Sequence, residues 1–485
     1  MRIGTWCVTA AVALLAGCGG GGGGGSQGAS LPASTPKAYV LDSVVLPASA
    51  AKSVAALSAA VRPAAATLVL PQWSEAKQAS VGEPGTPTQI GVARSLSATQ
   101  TADELAQTLH WSQAPDGGQV AAISITSTGA YGVRLGLLVE SLPDAAQIRL
   151  YRQDGSKAGY QTTGQAINEA IARNRAADGN TQAAGTWWSP DLGADEVTLE
   201  IGLPAGVPAS QLQIAIPTLT HAYVNLALPT EADLRATYPT KSVGDAGTCE
   251  LDASCADRYA SERNAVARMT FVGTDGKYYY CTGTLLNNTR GDYAPYFLTA
   301  NHCVSTQSSA SSLRTDWFFR SASCNSFAPN PLAAVRQQGA TLLYATSVTD
   351  TSLLRLNETP PVGVTLSGWD ARGTAVVNAS IYALHHPQGD WLKYSEGQVQ
   401  GYNNCSTSGG GISCNAGNLQ SDFLGVGWSK GTTEGGSSGS ALFLGGRVVG
   451  TLSGGSSACT ATGGIDAYSR FDHAFNNRLK DWLAQ

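Results

Sequence analysis

Cysteine placement divides this chain in two. Cys7 and Cys18 lie near the N-terminus, and the other eight of its ten cysteines, Cys249, Cys255, Cys281, Cys303, Cys324, Cys405, Cys414 and Cys459, fall in the second half. The opening residues hold Arg2, then an apolar run from Val8 to Leu15 and small residues, the pattern of an export signal and too short for a spanning helix. An even cysteine set in an exported protein predicts four disulfides formed in an oxidising compartment, with their pairing left open by spacing alone. Zinc is the competing use of such residues. The chain has no C-x-x-C pair and no histidines at ligand spacing, so we expect no metal and no cofactor. Only 13% of residues are charged and the formal net charge is -5, which provides no basic field for nucleic acid.

At 485 residues the chain needs at least two domains. Val, Ile, Thr and Tyr cluster at strand length between Gly, Pro and Asp turns, so the fold class is all-β. We divide the chain into an export signal at 1–17, a Gly/Ala/Ser/Pro-rich tether at 18–63 that is extended or poorly ordered, a β-sandwich at 64–228 with one short helix near 164–176, a polar linker at 229–247, and a second β-rich domain at 248–485. Phe471, Phe475, Leu479 and Trp482 recur at helical spacing, so the chain closes with an amphipathic helix, for which Ser469 and Asp472 are a candidate capping pair. Leu15-Ala16-Gly17-Cys18 resembles the bacterial lipobox. That resemblance implies a lipid on Cys18, a flexible glycine tether from Gly19 to Gly25, and an outer-membrane lipoprotein if the cell is Gram-negative. Membrane contact is expected through that anchor alone, with secretion after processing as the alternative.

Chemistry concentrates at Gly436-Ser437-Ser438-Gly439-Ser440, which is pinned to two short apolar strands joined by Gly445-Gly446, a hairpin signal. A serine hydroxyl attacks a carbonyl only with an adjacent base, a group orienting that base, and backbone donors for the oxyanion. A glycine two residues before the nucleophile lets the Gly436 and Ser438 amides point to one spot, which selects Ser438. There are six histidines: His110, His221, His302, His385, His386 and His473. Of these, His302 stands in "YFLTANHC", where a strand runs into Thr-Ala-Asn-His-Cys and a disulfide at Cys303 could steady the ring. The third member is a carboxylate between the two if the chain order is His, Asp, Ser. Asp350 opens the apolar strand of "SVTDTSLLRLN"; Asp316 and Asp370 lie in the same interval, in settings that suit a turn or the surface. Glu434 reads as a loop-stabilising acceptor.

The Thr-Ala-x-His-Cys string and "GSSGS" resemble the trypsin and chymotrypsin family. From Cys249 onward the resemblance narrows to the bacterial lysyl endopeptidases, through "GTCELDASC", "CTGTLLNNT", "YFLTANHC", "TSLLRLN", "GWDAR", "HHP", "GSSGS" and "GGSSACTATG" in order. It implies a trypsin-like pair of six-stranded antiparallel β-barrels with His302, Asp350 and Ser438 in the cleft between them. It also implies disulfides Cys249–Cys459, Cys255–Cys324 and Cys281–Cys303, leaving Cys405 and Cys414 to pair locally, and a structural role for His385-His386-Pro387, a string the family carries outside its triad. The activity implied is a serine endopeptidase that cuts proteins or peptides through an acyl-enzyme, after Lys or Arg. Thr432, six residues before Ser438, cannot neutralise a cation, whereas Asp466 in "GGIDAYSR" matches the family's specificity aspartate, with Ser453 and Gly455 as further specificity positions. Two departures stand out. Ser453 occupies the place of a family histidine, which puts the Lys-over-Arg preference in question. Ser437 replaces the aspartate that in trypsin captures the freed N-terminus, so activation through that ammonium pair is not expected. The cysteine-free sandwich domain would be a propeptide, cut away in a linker that offers Arg235 and Lys241. The contrasting reading is a catalytically inactive surface lipoprotein used as an adhesion module.

Overall fold

The computed structural model describes residues 39–48, 63–73, 85–155, 159–226, 246–326, 328–408, 411–461 and 463–485. The export signal, Cys18 and most of the linker, including Arg235 and Lys241, lie outside them.

Alternation of apolar residues builds the N-terminal half. Gln119–Ser127 and Glu196–Leu203 pair antiparallel, Ile123 opposite Leu199, and Ala121, Ile123, Ile125, Val197, Leu199 and Ile201 are all buried, as a period of two requires. Gln147–Tyr151 and Tyr160–Thr163 extend this sheet on one side, and Ala65–Leu70 runs parallel to Gln119–Ser127 on the other. A second sheet, Thr186–Trp188, Gly132–Ser141, Gln213–Ala222 and Thr88–Ser95, packs Leu135, Leu137, Ile214 and Leu219 into the same core. This is the expected sandwich. Its helix, Gly164–Asp178, starts where the Thr163 hydroxyl accepts the Ala166 amide and turns Ile167 and Ile171 inward.

The second sheet continues into the C-terminal half. Thr88–Ser95 pairs with Tyr278–Leu286, Thr88 opposite Tyr280, so one ladder crosses from the sandwich into the next unit. Two polar contacts reinforce the junction. Asp178, at the helix end, accepts the Gln307 and Ser308 amides at 3.0 and 2.7 Å, and the buried Arg134 guanidinium donates to Ser312 O at 2.8 Å. Part of the tether also pairs: Val40–Leu41 lies on Trp369–Asp370, and Val44–Val45 on Thr365–Leu366. The cause is a small apolar cluster within the Ala/Ser/Pro composition, and its Leu46 enters a core of the C-terminal half.

In that half, Ser380–His385, Lys393–Ser408, Phe423–Lys430, Asp466–Arg470, Arg447–Gly455 and Ala441–Leu444 close into a six-stranded barrel. The first barrel, built on Val266–Val272, Tyr278–Leu286, Tyr296–Ala300 and Thr351–Leu356, is a half-barrel. Among the described residues no ladder joins Ala334–Arg336 to Ala340–Thr346, because Ala334–Arg336 has only three residues and gives them to Arg314–Trp317. Gly445 and Gly446, at φ +56° and +81°, make the anticipated two-residue turn, which needs two positive φ angles.

The closing helix runs from Phe471–Ala474 through a wide π turn, Phe475–Leu479, into Lys480–Leu483. Phe471, Phe475, Leu479 and Leu483 are buried in one apolar cluster with residues of both barrels. The capping pair does not form. Asp472 is held by the Arg470 guanidinium at 2.6 Å, and the Ser469 hydroxyl donates to Thr451 O. The four disulfides are Cys249–Cys459, Cys255–Cys324, Cys281–Cys303 and Cys405–Cys414, the pairs that the resemblance implied.

Candidate active site

Antiparallel pairing brings the acid to the base. Ala300 lies opposite Thr351, so Asp350 and Asn301 continue the ladder by one step, with Asn301 N donating to Asp350 O at 3.1 Å. The Asp350 carboxylate then takes two hydrogens from His302, the amide on Oδ1 and ring Nδ1–H on Oδ2, each at 2.8 Å. Asp350 is buried and sits at φ +43°, a left-handed conformation that aspartate tolerates better than most residues. With Nδ1 committed as donor, Nε2 keeps its lone pair, and it is buried with no hydrogen-bond partner among the described residues. Cys281 and Cys303 flank the ring. Their sulfurs are bonded to each other, so this cluster is not a metal site.

The serine loop is shaped by its peptide planes. In a trans peptide the N–H points opposite to the C=O of the same plane. Gly435 O accepts the Gln388 amide at 2.6 Å and Ser437 O the Ser440 amide at 3.0 Å, which turns Gly436 N–H and Ser438 N–H away from those partners. Neither amide donates within the protein among the described residues, whereas the Ser437, Gly439 and Ser440 amides all do. Ser438 O accepts the Thr282 amide at 2.8 Å. Gly439 is pressed against the strand that delivers His302: a Cβ there would lie 2.2 Å from Thr299 Oγ1 and 2.9 Å from Ala300 N. The loop that carries Ser438 is therefore packed against the strand that leads to His302, without a hydrogen bond between the two side chains among the described residues. Such bonds commonly tighten only when substrate is bound.

Gly439 also has φ +82°, so Gly439→Ala combines backbone strain with overpacking. Equilibrium urea unfolding is expected to show a loss of about 2–4 kcal/mol. A loss below about 0.5 kcal/mol would contradict the contact just described.

The other carboxylates of the interval have their own partners. Asp316 is buried between Arg268, at 2.6 Å, and Arg314, at 2.8 Å, and Asp370 is held by Arg372 at 2.7 Å. The Glu434 carboxylate accepts the Gly247 amide at 3.1 Å, at the start of the C-terminal half. His385 and His386 are buried beneath the serine loop and, among the described residues, hydrogen-bond to none of the triad candidates.

Asp466 lies in the barrel wall, 1% exposed. Its Oδ2 accepts Trp428 Nε1–H at 2.6 Å and Thr433 Oγ1–H at 2.7 Å, and its Oδ1 accepts the Ser457 amide at 3.2 Å. Burial still raises its carboxyl above the usual aspartate range, the hydrogen bonds offsetting only part of that. No cationic side chain pairs with it among the described residues. A side chain at Gly455 would begin 2.2 Å from Asp466 Oδ1, so only glycine fits against that oxygen. Ser453 is buried, its hydroxyl without a partner among the described residues. Sequence reasoning missed Trp428, Thr433 and Ser457. The signal for Trp428 is strand alternation, since Val426 pairs with Asp466 and Trp428 is two residues on.

A family model described as the lysyl endopeptidase N-terminal domain matches residues 60–223, and one described as the lysyl endopeptidase C-terminal domain matches residues 243–469. A lysyl endopeptidase of Pseudomonas aeruginosa is 33% identical over 397 residues, which is 78% of this chain and 77% of that one. A secreted RxLR effector protein of Plasmopara viticola is 31% identical over 153 residues, 29% of this chain and 35% of that one. Among solved structures, the active form of a protease from M. tuberculosis overlaps 51% of this chain and 92% of its own, at 14% identity and a TM-score of 0.33, too loose to superpose sites. The length and identity of the Pseudomonas match, together with the two family models, establish that the chain belongs to the lysyl endopeptidase family and is a serine endopeptidase of trypsin-like fold.

Proposed function

We propose that this endopeptidase is exported as a precursor and cuts peptide bonds after Lys or Arg through an acyl-enzyme. Ser438 Oγ attacks the scissile carbonyl. His302 Nε2 takes its proton and passes it to the leaving amine, while Asp350 holds the Nδ1–H tautomer and the charge that develops on the ring. The Gly436 and Ser438 amides receive the oxyanion, and water then repeats the sequence on the acyl ester. Asp466 receives the cationic side chain of the residue before the cut, because an unpaired buried charge is costly on either side. One observation carries the reading: Asp350 grips both the amide and the ring of His302, beside a serine loop whose two outward amides donate to nothing within the described residues.

The N-terminal half acts as a propeptide in this proposal, released by a cut in the linker after Arg235 or Lys241. Its strand Thr88–Ser95 holds Tyr280, whose ring lies against Gly436, and this supports a role in folding and covering the site. The disulfides support passage through an oxidising compartment, with Cys18 as the lipid attachment point.

Fluorogenic peptides that differ only at the residue before the cut, together with a serine-directed phosphonate probe, test the reading. Lys and Arg peptides are expected to exceed a norleucine peptide by roughly 10²–10⁴-fold in kcat/KM, and the probe to label Ser438. Equal turnover across the panel would remove Asp466 from its role; an unlabelled protein would remove Ser438.

A further inference from the structure

The deepest polar group under the serine loop is a histidine outside the triad. His385 is fully buried at the end of Ser380–His385, with Ser437 Oγ 2.9 Å from Nδ1 and Ser395 Oγ 3.0 Å from Nε2. Counting hydrogens fixes the direction of every bond. Ser395 Oγ spends its only hydrogen on Thr432 O, at 2.5 Å, so toward the imidazole it accepts, and Nε2 carries the ring hydrogen. Nδ1 is then the acceptor, and it receives the Ser437 hydroxyl hydrogen. Ser437 Oγ in turn accepts the Glu434 amide at 3.2 Å. The relay runs from Glu434 N–H through Ser437, His385 and Ser395 to Thr432 O, and so returns to the loop it left.

The residues that follow His385 hold the same loop from behind. His386 N donates to Thr282 Oγ1 at 3.1 Å, which donates to Gly436 O at 2.9 Å, and Gln388 N donates to Gly435 O. A doubly protonated His385 would confront the Ser437 hydroxyl with a second donor and break the order. Burial holds its imidazole down to about 3, with His386 and Lys393 as smaller contributions, so the neutral form required by the relay persists through the working pH range.

We propose that His385 is a positioning residue of catalysis: acting through Ser437 and Ser395, it braces the Thr432–Ser438 segment so that the Gly436 and Ser438 amides converge on the oxyanion. This rests on the assignment of those amides made under Proposed function. Displacement of a reacting geometry by about 1 Å costs on the order of 10²-fold, and loss of an oxyanion donor costs about 10²–10³-fold in kcat. The effect belongs in kcat, because the ground-state carbonyl depends less on the oxyanion donors than the transition state does.

His385→Phe keeps a flat ring and removes both nitrogens; His385→Gln restores one donor and one acceptor; Ser437→Ala removes a single hydroxyl and tests the relay even when His385→Phe does not fold. On one peptide amide, His385→Phe is expected to lose about 10²-fold in kcat with KM within about threefold, His385→Gln to recover most of it, and Ser437→Ala to lose about tenfold. The acid limb of kcat/KM should stay in place in His385→Gln. A folded Ser437→Ala with wild-type kcat, a loss that appears in KM alone, or a displaced acid limb overturns the role. Phosphonate labelling separates this from the underlying reading. A wild type that labels while Ser437→Ala turns over normally overturns the role of His385 alone, and a wild type that does not label overturns the nucleophile assignment and this role with it.

Discussion

Ser438→Ala is expected to lower kcat on a peptide amide by about 10⁶-fold, leaving a residual rate about 10³–10⁴-fold above water from the oxyanion amides and binding alone. The size of the drop follows from the geometry. His302 Nε2 has no hydrogen-bond partner among the described residues, and in the proposed mechanism it serves to deprotonate the Ser438 hydroxyl, so removing Oγ would remove the nucleophile and idle the base in one step. Asp350→Asn should cost less, about 10⁴-fold, since a carboxamide can still meet the His302 amide but favours the wrong ring tautomer. Folding should be little changed in Ser438→Ala, because the hydroxyl makes no hydrogen bond among the described residues that its loss would strand. The same variant reads the maturation step: purified after secretion, it is expected to run at precursor mass while the wild type runs smaller. Equal masses would exclude self-cleavage of the linker, and turnover within tenfold of wild type would exclude Ser438 as nucleophile.

The pairing of His302 with Asp350 was legible because its signals are local. A strand ending in Thr-Ala-Asn-His-Cys and another opening at Asp350 need only lie antiparallel for the carboxylate to reach the ring, and Ala300 does lie opposite Thr351. Asp316 was expected in a turn or at the surface. Its setting is no exposed turn: it is buried between Arg268 and Arg314, a cross-strand arrangement set by a register that sequence does not state. The same limit hid the partners of Asp466, since Trp428 reaches it only through the pairing of Val426 with Asp466. It also hid the use of Thr88–Ser95, whose alternation announces a strand and leaves its neighbour, Tyr278–Leu286, unnamed. The disulfide pairs came from resemblance, because distant cysteines carry no local record of which one they meet. His385 was read as structural because the family carries the same string outside its triad, and the relay it completes depends on Ser395 arriving from another strand and Ser437 from the serine loop.

Asp466→Asn is expected to abolish most of the preference for a basic residue while sparing the chemistry. The carboxamide keeps an acceptor for Trp428 and Thr433 but offers no charge, so an incoming ammonium is left buried and unpaired, at a cost of about 3–5 kcal/mol, or roughly two to nearly four orders of magnitude in kcat/KM for a Lys peptide. A norleucine peptide, similar in shape and uncharged, should change by less than about tenfold. Acid provides the same test without mutation. Burial raises the Asp466 carboxyl above the ordinary aspartate range, and only its ionised form attracts the cation, so the ratio of Lys to norleucine kcat/KM should fall as pH drops through that raised value. Taking the ratio cancels any pH dependence of the steps that both peptides share. In Asp466→Asn the ratio should be low and flat across the same range. A pH-independent ratio in the wild type, or an unchanged preference for Lys in the variant, would move the seat of specificity elsewhere in the pocket.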